Sequence, residues 1–150
     1  MGRYERILVP TDGSDATREA VQQAVDLAAE HGATIHALYV VNSASFAGLP
    51  MDSSWENVSA MLSEEGTTAL DDVTAIAEGQ GVDVERELSD GNPAREIVRY
   101  AEDENCDLVV MGTHGRGEID RLLLGSVAEK VARSSSVPVL TVRVGDEAEA

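Results

Sequence analysis

The stretch that decides the fold is DLVVMGTHGRGEIDRLLLGS, residues 107–126 of a 150-residue chain. It opens on an apolar run, residues 108–110, of the kind expected for a strand buried on both faces of a sheet. A helical pattern follows at 127–133. Strand-to-helix loops usually take about 2–6 residues, whereas 13 residues lie between Met111 and Gly125. A long loop with several glycines at this place predicts a binding site.

Strand and helix patterns alternate on both sides of this stretch. Apolar runs at 6–10, 34–41, 82–88, 107–111 and 137–144 predict five strands. Helical periodicity predicts four helices, at 14–31, at 55–78, from Pro93 onward, and at 126–134, with Gly66 expected to bend or weaken the second. This order indicates a parallel sheet with helices on both faces. We therefore predict an α/β fold forming one domain over 1–150, with about 4–144 ordered and 145–150 a frayed tail.

The charge balance and composition exclude several classes of protein. A net charge of −17, from 28 acidic and 11 basic residues, argues against binding to DNA or RNA, which requires a basic face. No apolar run reaches the roughly 18–20 residues of a membrane span, and no signal-peptide pattern opens the chain. With its single cysteine, Cys106, the chain is expected to be cytoplasmic and without membrane contact. One lysine against ten arginines favours a high-salt cytoplasm, and an ordinary acidic protein is the alternative.

The position of the long loop points to a ligand crevice. In doubly wound sheets, ligands bind past the carboxyl ends of the strands, where the strand order reverses. If strands 1 to 3 step outward in one direction and strand 4 returns beside strand 1, the loops after strands 1 and 4 flank such a crevice. Those loops are 10–14 and 112–126.

The chemistry of loop 112–126 favours phosphate. Glycines let backbone N–H groups approach an anion closely, and Gly125-Ser126 opens a helix whose first N–H groups are unpaired. Arg116 and Arg121 are nearby cations, while Asp12 is placed to accept from a ribose hydroxyl or to help hold a divalent ion. The pattern is neither a P-loop nor a dinucleotide-binding G-x-G-x-x-G. In the alternative interpretation, these glycines serve only turns and a helix start.

The same residues resemble a known family. Gly112-x2-Gly115-x9-Gly125-Ser126 is similar to the G-2x-G-9x-G-[S/T] pattern of the ATP-binding branch of the universal stress proteins. Residues 9–14 resemble that family's first strand and following loop, residues 107–115 its fourth strand, and residues 136–142 its fifth. The resemblance covers about residues 4 to 144, which is nearly the whole chain.

The resemblance implies a fold, a ligand and an assembly. The fold is an open five-stranded parallel sheet of order 3-2-1-4-5, Rossmann-like and similar to the adenine nucleotide alpha hydrolases. The ligand is ATP, or ADP or AMP, with Asp12 a candidate contact to nucleotide-bound Mg²⁺. By position, the residues around adenine and ribose would be Pro10, Thr11, Asp12 and Val40. Met111 and Gly112 would lie near the ribose and α-phosphate. The phosphates would be lined by Gly115, Arg116, Gly125, Ser126 and Val127.

Three functions remain open on these residues. The leading one is a nucleotide-dependent switch in stress response, in which bound ATP changes a surface presented to an unknown protein partner. The second is a slow ATPase or phosphotransferase, for which the sequence offers no assigned base or other catalytic residue. The third is an interaction protein whose nucleotide site is vestigial. Metal-ligand spacings such as C-x2-C are absent, so a metal site made by the protein alone is not expected.

Strand 5 predicts a homodimer. In the order 3-2-1-4-5 it lies at a sheet edge, and Pro138 near its start suits an edge because proline cannot donate to a ladder. Apart from Arg143, the strand is otherwise strongly apolar, and an open apolar edge invites pairing with a second copy across a two-fold axis. In the alternative, the tail from Gly145 folds back and covers the edge. The family resemblance points the same way. The expected contact residues are Val139, Leu140, Thr141 and Val142.

Overall fold

The computed structural model describes residues 4–13, 15–41, 53–112 and 127–142. The strands are β1 (Arg6–Pro10), β2 (Thr34–Val41), β3 (Val84–Asp90), β4 (Leu108–Gly112) and β5 (Val139–Val142). The helices are α1 (Asp15–His31), α2 (Ser53–Glu78), α3 (Pro93–Asp103) and α4, which covers 127–134. The strands form one parallel sheet of order β3-β2-β1-β4-β5. The predicted α/β class and strand order are confirmed.

Two strands begin two residues later than the sequence predicts. The third was expected from Val82, but β3 begins at Val84 because Val82 is still part of the turn that follows Gly81, and its side chain is buried. The fifth was expected from Val137, but β5 begins at Val139. Pro138 lies just before it and contributes only its carbonyl, which accepts from the Val109 N–H at 3.0 Å. The predicted part of that strand at 143–144 lies outside the described residues.

The sheet separates two hydrophobic layers. The larger layer packs α1 and α2 against one face, and the smaller packs α3 and α4 against the other. All five residues of β4 are buried, as are the three central residues of β1, because these strands are covered on both faces. The edge strands are much more exposed. Helices on both sides thus bury β1 and β4 at the centre of the sheet.

Gly66 was expected to bend or weaken the second helix, but α2 is one helix from Ser53 to Glu78. A Cβ added at Gly66 would come within 2.5 Å of Leu88 Cδ1 and 2.9 Å of Tyr39 Cδ1. The glycine therefore permits close approach of α2 to β2 and β3. This tertiary contact could not be anticipated from helical periodicity alone.

A partly buried polar pair joins the sheet to α3. His36 on β2 is 6% exposed, and its Nδ1 lies 2.8 Å from the Tyr100 hydroxyl. Burial lowers the pKa of His36 and raises the pKa of Tyr100, so both groups stay neutral near pH 7. This pair accounts for His36 as a structural residue.

Cys106, the one cysteine of the chain, lies buried just before β4. Burial raises the pKa of its thiol to about 12, and the negative charges of Glu104 and Asp107 add to the shift. Burial contributes more to this shift than the acidic neighbours do. Because the thiolate is the reactive form, this thiol is protected in the folded protein.

We predict that iodoacetamide labels Cys106 at least about 100-fold more slowly in the native protein at pH 8 than in the denatured chain, because both thiolate and access are lost. Mass spectrometry of timed samples measures this, and the denatured chain at the same pH is the control. Labelling at equal rates would contradict a buried, protonated thiol.

Candidate functional site

The carboxyl ends of β1, β2 and β4 lie at one edge of the sheet. β1 lies between β2 and β4, so the strand order reverses beside it. The ladder between β1 and β4 pairs Ile7 with Leu108 and Leu8 with Val109, and both strands continue beyond it. The two strands thus stop pairing before they end, at the place where open α/β sheets bind ligands.

A tight turn leads out of β1. The Thr11 N–H donates to the Leu38 carbonyl of β2 at 2.9 Å, which holds the start of the turn against the sheet. The Gly13 N–H donates to Thr11 Oγ1 at 3.1 Å, and Gly13 has a φ of +81°. A left-handed φ of this kind favours glycine, which explains the Thr-Asp-Gly order. Ser14, at which the first helix was predicted to begin, lies outside the described residues.

Asp12 is exposed at the tip of this turn. Its Oδ1 accepts a hydrogen bond of 2.5 Å from the Thr17 hydroxyl, and Thr17 is 3% exposed in α1. A buried donor fixed by a helix therefore orients an exposed carboxylate. Thr17 was not among the residues expected at the site. The sequence did contain a signal for Thr17: it is a polar residue on the buried stripe of α1, one turn before Ala20 and Val21.

The end of β2 presents side chains to both faces. Val40 is half-buried and packs against the layer formed by α3 and α4. Tyr39 packs against the layer formed by α1 and α2. Burial raises the pKa of Tyr39, and the charges of Glu65 and Asp12 add to it, so the hydroxyl stays protonated near neutral pH. Val40 was an expected site residue, whereas Tyr39 was not.

The end of β4 supplies the opposite side of this edge. Met111 is 4% exposed within the α3/α4 layer, and Gly112 pairs with Val142 of β5. Val127 is half-buried at the beginning of the described part of α4. Met111 and Gly112 therefore end at the same edge as Asp12. Four further expected residues lie outside the described part of the chain: Gly115, Arg116, Gly125 and Ser126.

The described part of this edge has features of a polar ligand site and lacks those of a metal centre. No group of three or more His, Cys, Asp or Glu side chains converges within the described ranges. Asp12 offers oxygen acceptors suited to sugar hydroxyls or to a cation that a ligand brings with it. A cavity beside Thr11 and Gly13 measures about 10 Å³, space for one water at most, so a nucleotide would need the open crevice.

No helix in the described ranges is long and apolar enough to cross a membrane.

Comparison with known proteins identifies three relatives that are named universal stress proteins. The chain is 47% identical over 140 residues to universal stress protein MJ0531 of Methanocaldococcus jannaschii, covering 93% of this chain and 82% of that protein. The structure of MJ0577 from the same organism superposes with a TM-score of 0.81 at 30% identity, covering 95% of this chain and 98% of that one. A universal stress protein solved in complex with cAMP gives a TM-score of 0.68 at 29% identity, with 93% and 96% covered.

The sequence model of the universal stress protein family matches residues 3–143. The relatives, the sheet order and this match agree over almost the whole length of the chain. The chain belongs to the universal stress protein family.

Proposed function

We propose that this chain binds an adenine nucleotide at the carboxyl edge of β1 and β4, and that the bound nucleotide changes the surface offered to a protein partner. The observation that carries the proposal is Asp12, an exposed carboxylate oriented by a buried threonine where β1 and β4 stop pairing. A fixed acceptor at this place suits the hydroxyls of a ribose. The proposal places this nucleotide-dependent switch in the cytoplasm and in stress response.

Two further observations support a nucleotide. A relative of 29% identity was solved with cAMP, which combines adenine, ribose and phosphate. The sequence after β4 carries Gly115, Gly125 and Ser126, residue types whose backbone N–H groups and hydroxyl suit phosphates. These two observations together support a ligand that has both an adenosine part and a phosphate part.

Different residues are assigned to different parts of the nucleotide. We assign adenine and ribose to Pro10, Thr11, Asp12 and Val40. Met111 and Gly112 are assigned to the ribose and α-phosphate. The phosphates are assigned to Gly115, Arg116, Gly125, Ser126 and Val127. ATP would bring Mg²⁺ with it, and Asp12 is the described carboxylate available to that ion.

Replacing Asp12 with asparagine tests the assignment. Asp12→Asn keeps the shape of the side chain but removes its charge, so we predict that ATP binding weakens by about 1–3 kcal/mol. Isothermal titration with ATP, ADP and AMP, with and without Mg²⁺, measures the loss. Asp83→Asn is the matched control, since Asp83 is exposed just before β3, at the opposite edge of the sheet. Equal affinity in both variants would contradict the role of Asp12.

The titration also separates the candidate functions. A folded protein that binds no nucleotide would be an interaction protein with a vestigial site. A protein that binds ATP and releases phosphate over hours, in a turnover assay, would be a slow ATPase. Binding without turnover is the result expected for a switch.

Thr17 is the positioning residue of this site. Thr17→Val preserves the buried volume but removes the donor to Asp12 Oδ1, so we predict weaker ATP binding. Thr17→Ser retains the hydroxyl and should bind ATP as the unmodified protein does. Titration together with thermal unfolding separates positioning from stability. If valine and serine variants bind ATP equally, Thr17 does not position Asp12.

We also propose a homodimer through β5. Its four described residues, Val139–Val142, carry no charge, and Leu140 is 39% exposed. The other edge strand, β3, carries Glu85, Arg86 and Glu87, which protect an edge against pairing. Of the two edges, β5 is therefore the one suited to a second copy.

Substitution of one exposed leucine on each edge tests the dimer. We predict that Leu140→Asp yields a monomer of about 15.9 kDa, because a charge on the uncharged edge opposes burial. Leu88→Asp on β3 is the control of similar exposure, 41%, and should remain dimeric. Light scattering at micromolar concentration measures the mass. A native protein with the mass of one chain would overturn the proposal.

A further inference from the structure

A groove of about 430 Å³ runs between α3 and α4, on the face of the sheet opposite α1 and α2. Its described lining contains none of the residues assigned to the nucleotide, and its volume suits a ligand or a short peptide. Its described lining is Asn92, Ala94, Arg95, Val98, Arg99, Glu102, Lys130, Arg133 and Ser134.

The groove concentrates positive charge in a strongly acidic chain. Four of the chain's 11 basic residues line it, including its one lysine, although the chain as a whole carries a net charge of −17. Arg95 and Arg99 belong to α3, while Lys130 and Arg133 belong to α4. Each of the two helices therefore contributes a pair of cations to the same groove.

Within the described part of the chain, two of these cations form ion pairs and two do not. Arg99 pairs with Glu96 at 2.9 Å, and Arg133 pairs with Glu129 at 2.7 Å. Among the residues that the structure describes, no carboxylate forms an ion pair with the side chain of Arg95 or of Lys130. One cation without such a partner thus remains on each helix, and both side chains are exposed.

The remaining lining argues for an extended ligand with apolar parts. Ala94 and Val98 are half-buried and supply an apolar surface between the cations. Glu102, whose Oε2 accepts from the Ser136 hydroxyl at 3.2 Å, adds a negative charge to the lining. With Glu96 and Glu129 close by, the groove is unsuited to a compact, highly charged anion.

The spacing of the cations fits a polypeptide. Residues four apart on a helix, such as Arg95 and Arg99, rise by about 6 Å along the axis. Alternate side chains of an extended peptide are separated by about 6.6 Å and lie on one face. Along α3, a peptide carboxylate can therefore meet Arg95 while the side chain two positions further on lies near Arg99, which already pairs with Glu96. The intervening side chains alternate to the other face.

We propose that the groove between α3 and α4 binds an extended acidic segment of a protein partner. Its carboxylates bind Arg95 and Lys130, and its aliphatic atoms cover Val98. This inference goes beyond nucleotide binding and holds whether or not a nucleotide is bound. Long-range repulsion by the acidic chain is screened beyond about 8 Å at 0.15 M salt, so contacts within the groove decide binding there.

The test uses a fluorescein-labelled octapeptide in which glutamate alternates with alanine and valine, capped at both ends. Fluorescence anisotropy at about 0.15 M salt measures its binding to the full chain. We expect binding by the unmodified protein and at least a tenfold loss in the double variant Arg95→Gln, Lys130→Gln. The matched control, Arg18→Gln with Arg86→Gln, removes the same charge from exposed arginines outside the groove and should bind within twofold of the unmodified protein.

Three results would overturn the proposal. The first is absence of binding by the unmodified protein, with circular dichroism confirming that it is folded. The second is an equal loss in the groove variant and the control, which would indicate a response to net charge alone. The third is that inorganic triphosphate binds in a manner that depends on Arg95 and Lys130 while the peptide does not, which would make the groove a phosphate site.

Discussion

The pairing of β1 with β4 is the interaction on which the rest of this structure depends. It joins two strands that are far apart in sequence, and it is the point at which the strand order reverses. Both strands are buried on both faces, so their register is set by a core on each side. The short ladder leaves their carboxyl ends unpaired with each other, although each end still pairs with its other neighbour, β2 or β5. The candidate site lies at those ends.

Because the core holds this edge of the sheet in place, a few polar contacts are enough to orient the side chain of Asp12. The turn after β1 is tied to β2 through the Thr11 N–H, and Gly13 takes a φ that reverses the chain into α1. The first turns of α1 then bring the Thr17 hydroxyl to Asp12. An exposed carboxylate would otherwise sample several rotamers, and holding one of them removes an entropic cost from binding. The core thus preorganises an acceptor on the surface.

The groove between α3 and α4 also depends on the topology of the sheet. α3 and α4 are neighbours because the connections from β3 to β4 and from β4 to β5 cover the same face of the sheet. Their cations are separated by at least thirty residues in sequence, as Arg99 and Lys130 illustrate, and only this packing brings them together. α4 also follows the residues proposed to bind phosphate, so the groove and the candidate nucleotide site share a structural element.

The sequence by itself determined the α/β class, the number of strands and the parallel sheet, because hydrophobic periodicity reports local structure directly. It also indicated Asp12 as a candidate site residue, because a carboxylate directly after a predicted central strand can be recognised from the sequence. Tertiary structure alone decided the partner of Asp12, the reason for Gly66 and the meeting of cations between α3 and α4. Each of these features depends on the distance and the register at which two separate elements pack together. Side-chain packing sets both, and local sequence patterns do not contain this information.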